Sequence, residues 1–336
     1  MIVLVTGGLG YIGSHACVAL LEAGYDVVVL DNLATGKEEV VTRIEKITGR
    51  RLVLVIGDIR DRSILNKVFD NHDIGAVLHF AGLKSPSESL LMPLAYFDCN
   101  VTGSITLLEE MQKRDIKTLV FSSSATVYGL PEEMPVTESC RAESPTNPYG
   151  KSKLMVEQVL RDLTATESEW RVACLRYFNP VSAHRSGLLG EDPVTAPNNL
   201  MPYVTRVAAG RLSELTVFGD DYPTSDGTGV RDYIHVQDLA EGHVATLRYL
   251  TSAEGFSVFN LGTGRGISVL ELIRKFEEVS GKPIPYTVGP RRQGDVAECW
   301  ADPAKAQRLM GWQALLTIDD MCRDAWQWEQ NCQSHV

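Results

Sequence analysis

The sequence lacks the marks of several protein classes. It contains seven cysteines, an odd number, and no Cys-x-x-Cys pair, which indicates free thiols in a reducing compartment rather than a disulfide framework or a zinc site. No apolar run approaches the ~20 residues that a membrane-spanning helix needs. The strand-like residues 1–5 follow no basic region or cleavage signal. We therefore expect a cytoplasmic protein without a membrane segment and without a metal.

The chain also has fewer basic than acidic residues. The chain has 32 Lys and Arg against 43 Asp and Glu, with a net charge of −11 and a pI near 5.2. This balance argues against a nucleic-acid or anionic-membrane surface, and an anionic small ligand would need a local cluster of Arg. With 336 residues, of which 44% are hydrophobic, the chain exceeds the ~250–300 residues of a single core. One large domain with a lobe, or two domains, is expected.

Short apolar runs alternate with helical patterns through the first half of the chain. The runs lie at residues 2–6, 27–30, 52–56, 76–80, 118–121 and 171–177. Helical patterns fill the gaps, notably at about 89–114 and 149–166. Near-continuous apolar strands that alternate with helices predict an α/β fold with a doubly wound parallel sheet, covered on both faces.

The second half of the chain has a different amino-acid composition. Gly, Pro and Asn become frequent through residues 180–230, which predicts a smaller, loop-rich α/β lobe. Residues 233–250 and 256–261 again resemble helices or strands, so we expect the chain to return to the main sheet. The predicted organisation is a nucleotide-binding domain at 1–178, with returning segments near 233–261, and a substrate lobe at 179–336.

A glycine-rich turn follows the first run. Gly8, Gly10 and Gly13 lie between a strand and a helix, the context of a dinucleotide-binding fingerprint, in which backbone N–H groups approach a pyrophosphate at the helix N-terminus. Asp31 ends the second run and is placed to accept from a ribose 2′-hydroxyl, so NAD is favoured over NADP. Asp58, after the third run, either helps to hold the adenine or caps a helix.

Residues 147–153 predict a proton-transfer site. Asn147 and Pro148 suit the start of a helix, and Tyr149 and Lys153, four residues apart, then share one face. An ammonium within about 4–6 Å favours a phenolate, and poising Tyr149 near neutrality needs a shift of about 3 pKa units. Ser124, after the fifth run, lies where open α/β sheets place their ligands. Taken alone, the Tyr–Lys pair also fits an amphipathic helix with an exposed Lys.

The chain resembles the extended short-chain dehydrogenase/reductases and, within them, the UDP-galactose (UDP-glucose) 4-epimerases. Eleven motifs carry this resemblance in chain order. They are TGGLGYIGSH at 6–15, DNL at 31–33, GDIRD at 57–61, HFAGLK at 79–84, FSSSATVYG at 121–129, PTNPYGKSKLMVEQ at 145–158, LRYFNP at 175–180, PNNLMPY at 197–203, GVRDYIHVQDLA at 229–240, NLGTG at 260–264 and RRQGD at 291–295.

The resemblance implies a Rossmann-like fold and a 4-epimerase that keeps NAD bound. In that family, Tyr149 would be the catalytic base, Lys153 would bind the nicotinamide ribose and lower the Tyr149 pKa, and Ser124 would hydrogen-bond the reacting hydroxyl. Hydride would leave sugar carbon 4 for NAD, the 4-keto sugar would turn over, and the hydride would return to its other face. The resemblance also implies a homodimer, with the helices near 89–114 and 149–166 at the interface.

Binding residues follow from the same resemblance. It assigns NAD binding to Gly7, Gly10, Tyr11, Ile12, Gly13, Asp31, Asn32, Asp58, Ile59, Phe80, Ala81, Gly82, Lys84, Ser122, Tyr149, Lys153 and Tyr177. It assigns UDP-sugar binding to Ser124, Tyr149, Asn179, Asn199, Leu200, Thr216, Phe218, Arg231, Tyr233, Arg292, Asp295 and Cys299. Arg residues suit a diphosphate in an otherwise acidic protein.

Several positions depart from the family pattern. Cys99 stands where Asn is usual, Ser182 where Gly is frequent and Thr216 where a smaller residue is common, and residues 86–87 also differ. Cys299 stands where a bulky Tyr is associated with exclusion of N-acetylated sugars. The smaller thiol predicts that UDP-GlcNAc and UDP-GalNAc are also interconverted.

Three other functions share parts of this pattern. A nucleotide-sugar 4,6-dehydratase needs an added acid and base, carried in that family as Asp-Glu, whereas this chain has Ala125 and Thr126. A net oxidoreductase such as a hydroxysteroid dehydrogenase would release its reduced cofactor, and the polar Asn and Arg set argues against a steroid pocket. A non-catalytic NAD-binding sensor would have no need to keep Ser124, Tyr149 and Lys153 together.

Overall fold

The computed structural model describes residues 1–192, 199–292 and 295–333. Its strands are β1 (Ile2–Thr6), β2 (Asp26–Asp31), β3 (Val53–Ile56), β4 (Ile74–His79), β5 (Thr118–Ser124), β6 (Arg171–Tyr177), β7 (Asn179–Val181), β8 (Leu215–Phe218), β9 (Val230–Arg231), β10 (Tyr233–His235), β11 (Gly255–Leu261), β12 (Ile267–Ser268), β13 (Tyr286–Gly289) and β14 (Glu298–Cys299). Its helices are α1 (Tyr11–Glu22), α2 (Glu39–Thr48), α3 (Arg62–Asn71), α4 (Pro86–Leu91), α5 (Pro93–Phe97), α6 (Gly103–Gln112), α7 (Pro148–Thr166), α8 (Leu200–Ala208), α9 (Val236–Leu250), α10 (Val269–Ser280), α11 (Ala304–Met310) and α12 (Ile318–Gln333).

Seven parallel strands form the main sheet in the order β11-β6-β5-β4-β1-β2-β3. The six runs predicted as strands are all in it, and β11 supplies the expected return of the chain. The strand order reverses between β1 and β4, and ligands of open α/β sheets bind outside the carboxyl ends of strands at such a switch point. The predicted Rossmann-like doubly wound sheet is confirmed.

Alternating side chains of the strands fill two cores, one on each face of this sheet. Val3 and Val5 point to the face covered by α1 and α9, while Leu4 points to the face covered by α3, α6 and α7. Because both faces are buried, the strands read as continuous apolar runs. This packing fixes the carboxyl ends of β1, β4, β5 and β6 as one rigid edge.

The single helix predicted at about 89–114 is wrong. The chain forms α4, α5, a π-helical turn at Asp98–Thr102 and α6 instead. Pro93 has no N–H to continue α4, and Met92 before it has φ −130° and ψ 52°, outside the helical region. The π turn then offsets α6, and such turns are frequent at functional sites.

Smaller sheets and the last helices form a second region. β8 pairs with β13, β9 with β12 and β14, and β7 with β10. A separate core includes Val204, Leu215, Phe276 and Met321. The division of the chain into domains at residues 178 and 179 stays a prediction. In the described ranges, no helix is long and apolar enough to span a membrane.

Candidate active site

The turn between β1 and α1 requires its glycines. Gly7 has φ +70°, and a Cβ there would lie 2.7 Å from the backbone nitrogen of Ala81. A Cβ at Gly13 would lie 2.3 Å from the carbonyl oxygen of Gly7. Gly10 is the N-cap of α1 and brings no side chain to the first turn. Tyr11 and Ile12 form that turn, so their backbone N–H groups are open to an anionic ligand at the positive end of the helix.

Asp31 lies beside this turn at the end of β2. Its carboxylate accepts from the backbone N–H of Leu9 at 3.0 Å and of Leu33 at 2.9 Å, so it braces the glycine turn from the neighbouring strand. The side-chain amide of Asn32 donates to Asp58 at 3.0 Å. These contacts place Asp31, Asn32 and Asp58 along one edge, beyond the carboxyl ends of β2 and β3.

The alternative reading of Asp58 as a helix cap is wrong. The N-cap of α3 is Asp61, whose side chain accepts from the Ser63 N–H. Asp58 instead pairs with Arg60, which holds the pKa of the Asp58 carboxyl well below its usual range. The side chain of Ile59 is buried in the core, so only its backbone faces this edge.

Ser124 and Tyr149 meet at the end of β5. Ser124 is the last residue of that strand rather than the residue after it, and its Oγ accepts from Thr126 N at 3.2 Å and Thr126 Oγ1 at 3.0 Å. Asn147 caps α7 by accepting from Gly150 N at 2.9 Å, which sets Tyr149 in the first turn. Burial raises the pKa of Tyr149, and the neighbouring Ser124 side chain opposes that rise only in part.

Lys153 lies one turn further along α7 and is buried. Its Nζ donates to the carbonyl oxygen of Ser122 at 2.7 Å and lies 6.0 Å from the centre of the Tyr149 ring. Burial lowers the pKa of Lys153 to about 8. The predicted lowering of the Tyr149 pKa by Lys153 stays a prediction, because in the polypeptide the ammonium donates to Ser122 and burial dominates the pKa of Tyr149.

Two residues that the sequence did not single out complete this edge. Asn100, in the π turn, accepts from Leu83 N at 2.8 Å and donates to Leu83 O at 3.0 Å and to Ser152 Oγ at 2.9 Å. It thereby ties the loop that contains Ala81, Gly82 and Lys84 to α7. His243, on α9, contacts both Phe80 and Tyr177. No local sequence pattern marks either residue, because each is defined by contacts with distant segments.

Apart from Ser124 and Tyr149, the residues assigned to the UDP-sugar form two groups, which lie beside the smaller sheets. Backbone bonds run from Asn179 N to Asp232 O at 2.9 Å and from Asp232 N to Cys299 O at 3.1 Å. Cys299 is paired in register with Arg231, and Arg231 Nη2 donates to Asp295 at 2.6 Å. Asn179 is likewise paired with the buried Tyr233. These contacts bring together five residues of the predicted set.

The second group lies nearer β8 and α8. The Arg292 guanidinium stacks 4.1 Å from the centre of the Phe218 ring, on the exposed side of β8 that also carries Thr216. Asn199 precedes Leu200 at the start of α8 and donates to Glu191 at 2.8 Å. Motif residues 197–198 and 293–294 lie outside the described residues. The binding roles of all these residues stay predictions.

One departure from the family pattern has a physical explanation. Ser182 has φ +83°, a backbone conformation that glycine adopts without strain, which accounts for a Gly elsewhere. Its carbonyl oxygen accepts from the Tyr11 hydroxyl at 2.8 Å, and its Oγ lies 3.0 Å from His235 Nε2. Cys99 lies in the π turn, where burial raises the pKa of its thiol. Nothing in the structure explains Cys99 or Thr216.

These elements define an extended short-chain dehydrogenase/reductase, because a dinucleotide cradle at the switch point meets the Ser124, Tyr149 and Lys153 edge. A family model described as GDP-mannose 4,6 dehydratase matches residues 4–325. The UDP-glucose 4-epimerase of Bacillus subtilis (strain 168) is 55% identical over 331 residues, which cover 98% of this chain and 97% of that protein. The chain belongs to the UDP-glucose 4-epimerase family.

Solved structures agree with this assignment. The UDP-glucose 4-epimerase of Stenotrophomonas maltophila, with bound NAD and formylated UDP-arabinopyranose, is 53% identical and superposes with a TM-score of 0.98 over 100% of both chains. The enzyme of Bifidobacterium longum, in complex with NAD+ and UDP, is 50% identical with a TM-score of 0.97, again over 100% of both chains.

Proposed function

We propose that this chain is a UDP-hexose 4-epimerase that interconverts UDP-glucose and UDP-galactose with a retained NAD. The observation that carries the proposal is the position of the buried Lys153 Nζ, 2.7 Å from the carbonyl oxygen of Ser122 on the strand that ends at Ser124 and 6.0 Å from the centre of the Tyr149 ring. Epimerisation at a carbinol carbon needs a group that removes and returns a hydroxyl proton next to a reversible hydride acceptor. That arrangement meets both needs.

The residues of the turn fit NAD. Side chains at Gly7 or Gly13 would collide with the backbone, and the open N-terminus of α1 suits a pyrophosphate. Asp31 ends β2 beside the turn, where its carboxylate suits ribose hydroxyls and repels a 2′-phosphate. When bound, NAD supplies reversible oxidation of sugar carbon 4.

Tyr149 handles the proton in this mechanism. The phenolate takes the proton from the 4-hydroxyl, and Ser124 holds that hydroxyl oxygen in line. Because burial raises the Tyr149 pKa in the polypeptide, ionisation needs the positive charge of Lys153 together with that of the oxidised nicotinamide. When the keto sugar has turned, Tyr149 returns the proton to the oxygen on the opposite face.

The UDP group is held so that the sugar can turn. Arg231 and Arg292 offer guanidinium groups to the diphosphate, and Asp295 suits a ribose hydroxyl. Arg231 is paired with Asp295 at 2.6 Å, so it is already oriented toward that end of the site. The relatives that hold NAD with UDP or a UDP-sugar support this assignment.

We also propose that N-acetylated UDP-hexoses are substrates. Cys299 is half-buried in β14, beside Arg231 and against the apolar cluster of Val136 and Phe178. A thiol at this position leaves space that a phenol ring would fill. Wild type should therefore interconvert UDP-GlcNAc and UDP-GalNAc, and Cys299→Tyr should lose that activity while keeping UDP-galactose turnover. A wild type that ignores UDP-GlcNAc would refute this substrate range.

The chain lacks the residues that a 4,6-dehydratase would need. Elimination of water needs an acid and a base beside the sugar, and residues Ala125 and Thr126, which follow Ser124, carry no carboxyl group. A 4-epimerase needs no acid–base pair beyond Tyr149, because water is not lost from the sugar.

The experiment that tests the proposal uses purified protein without added NAD. With UDP-galactose, wild type should form UDP-glucose, and Tyr149→Phe should lower turnover about 10²–10⁴-fold while NAD stays bound. Tyr286→Phe is the matched control, because Tyr286 is exposed on β13 in the second region and should behave as wild type. Unchanged turnover in Tyr149→Phe would refute the proposed base.

We further propose that two copies associate through α6 and α7. A groove of about 140 Å³ between these helices is lined by Ile105, Leu108, Glu109, Gln112, Val159 and Leu163. Ile105 is 37% exposed and Met155 43% exposed, so apolar surface remains there for a second copy. A two-fold pairing of two helices from each copy would bury it as a four-helix bundle.

Ile105→Asp should yield monomers by light scattering, and an unchanged mass would contradict this interface.

The cellular compartment is proposed from the thiols. The seven cysteines are free, and such thiols persist in a reducing environment. We propose the cytoplasm as that compartment.

A further inference from the structure

His243 occupies a central position that the mechanism above does not use. It lies on α9 and is buried, and its ring centre lies 4.8 Å from that of Phe80. Its Nε2 lies 2.5 Å from the Tyr177 hydroxyl. Phe80 follows β4 and Tyr177 ends β6, while β5 runs between these two strands. One imidazole therefore braces two aromatic residues on either side of the strand that carries Ser122 and Ser124.

The direction of the hydrogen bond follows from the other ring nitrogen. His243 Nδ1 lies 2.8 Å from the carbonyl oxygen of Leu239, which can only accept, so Nδ1 carries the proton. Burial lowers the pKa of His243 to about 4, so the ring is neutral and its Nε2 is an acceptor. The Tyr177 hydroxyl is then the donor to His243.

The brace continues into the active edge. Tyr177 is paired in register with Ser124 of β5, whose side chain lies on the same face of the sheet as that of Ser122, two residues earlier. The carbonyl oxygen of the same Ser122 accepts from Lys153 Nζ at 2.7 Å. Thus His243 and Tyr177 lie beside the end of β5, whose Ser122 carbonyl oxygen holds Lys153, the residue predicted to bind the nicotinamide ribose.

We propose that His243 is a positioning residue that fixes Phe80 and Tyr177 as the floor beneath the nicotinamide end of the cofactor. By holding these two rings in place, His243 helps to retain the reduced cofactor while the keto sugar turns. The inference rests on the proposed function. A 4-epimerase must hold NADH and the keto sugar together until the hydride is returned, because loss of both at that stage leaves one oxidised sugar and one NADH in solution. A floor of two aromatics braced from behind meets that requirement without contacting the sugar.

The test compares three single variants and one double variant. His243→Phe removes the acceptor and keeps an aromatic ring, while Tyr177→Phe removes the same hydrogen bond from the other side and leaves α9 unchanged. Each should lower the NAD content of gel-filtered protein and raise NADH release during incubation with UDP-galactose about tenfold. Because both substitutions remove the same hydrogen bond, the double variant should retain about as much NAD as the single variant that retains less. His243→Gln, whose amide oxygen can accept from Tyr177, should recover part of the retention.

A matched control separates positioning from stability. Thr246, on the same helix, is buried and its Oγ1 donates to Gly242 O at 2.7 Å. Thr246→Val should lower the unfolding temperature and leave NAD content unchanged.

Two results would overturn the inference: folded His243→Phe and Tyr177→Phe proteins that retain NAD as wild type does, or losses that simply add in the double variant. NAD content needs no substrate, so this outcome stands apart from whether the protein inverts UDP-galactose. Should His243→Phe fail to fold, Tyr177→Phe and His243→Gln decide the question.

Discussion

Lys153 and Arg176 are two buried cations near the same edge of the sheet, but only Arg176 is paired with a carboxylate. Arg176 is 4% exposed and pairs with Glu157, with Nε–Oε1 at 3.0 Å and Nη2–Oε2 at 2.6 Å, and the pKa of Arg176 is raised. Lys153 is 5% exposed and donates to the neutral carbonyl of Ser122, and burial lowers its pKa to about 8. In the described part of the chain, Lys153 forms an ion pair with no carboxylate.

The difference separates a structural ion pair from a functional charge. A buried cation that is matched by a carboxylate has its charge compensated by the fold itself, and removing one partner leaves an uncompensated charge. A buried ammonium that meets a carbonyl and an aromatic ring but no carboxylate, as Lys153 meets Ser122 and Phe121, is left available to a ligand or a neighbouring phenol, and it carries a desolvation cost in the free protein. Both cations lie next to α7, which supplies Glu157 to one and bears the other.

The largest expected effect is on activity, in Lys153→Met. Loss of the ammonium should lower turnover about 10²–10⁴-fold, because Tyr149 loses the charge that favours its phenolate. The unfolding free energy should not fall, since an unpaired buried ammonium contributes no stability at neutral pH. Steady-state kinetics and urea unfolding measure the two effects. Lys151→Met, at an exposed position on the same helix, is the control. A Lys153→Met protein that keeps its activity but loses stability would show that Lys153 is a structural and not a functional charge.

Breaking the paired cation should have the opposite result. Glu157→Gln leaves the Arg176 guanidinium buried without its counter-charge and should cost about 3–5 kcal/mol of unfolding free energy. Urea unfolding measures it. The double variant Glu157→Leu with Arg176→Met should recover most of this loss, because no buried charge remains. If the single variant is as stable as wild type, the pair is not structural.

The pH dependence of stability should separate the two cations further. Since the folded-state pKa of Lys153, about 8, lies below the ordinary Lys value, the unfolded chain binds the proton more tightly. Cofactor-free wild type should therefore gain stability, by at most ~3 kcal/mol, as pH rises from about 8 toward 10.4. Lys153→Met should lack this gain. Equal pH profiles for the two proteins would show that the Lys153 pKa is not lowered.

The smallest effect is expected at a partly exposed pair. Arg231 and Asp295 lie 2.6 Å apart at the predicted UDP end, with Asp295 more than a third exposed. Asp295→Asn should change the unfolding free energy by less than about 1 kcal/mol. UDP affinity, measured by calorimetry, should nevertheless weaken if Asp295 binds the ribose. A stability loss as large as that of Glu157→Gln would remove the distinction between exposed and buried pairs.

Local patterns were sufficient to predict much of the fold and part of the site. The β-branched runs gave all six predicted strands, and Asn147 with Pro148 marked the start of α7, as observed. The spacing of Gly8, Gly10 and Gly13 predicted a turn whose close approaches the structure contains. Each of these features can be predicted from neighbouring residues, although the glycine turn also approaches Ala81 and Val29 on other strands and loops.

Other features depend on contacts between distant segments. His243 meets Tyr177 across 66 positions of the sequence, and Asn100 meets Ser152 across 52. The rise in the Tyr149 pKa comes from burial, which no local spacing reveals. The break at Met92 was readable from Pro93, but the π turn that follows it was not.

The most direct test of the proposed mechanism follows the hydrogen on sugar carbon 4. Purified protein without added NAD should convert UDP-galactose deuterated at carbon 4 into UDP-glucose that keeps the deuterium at carbon 4, as read by NMR, because the hydride is held and returned within one site. Deuterium lost to water, found at carbon 6 or released as labelled NADH in proportion to turnover would contradict it.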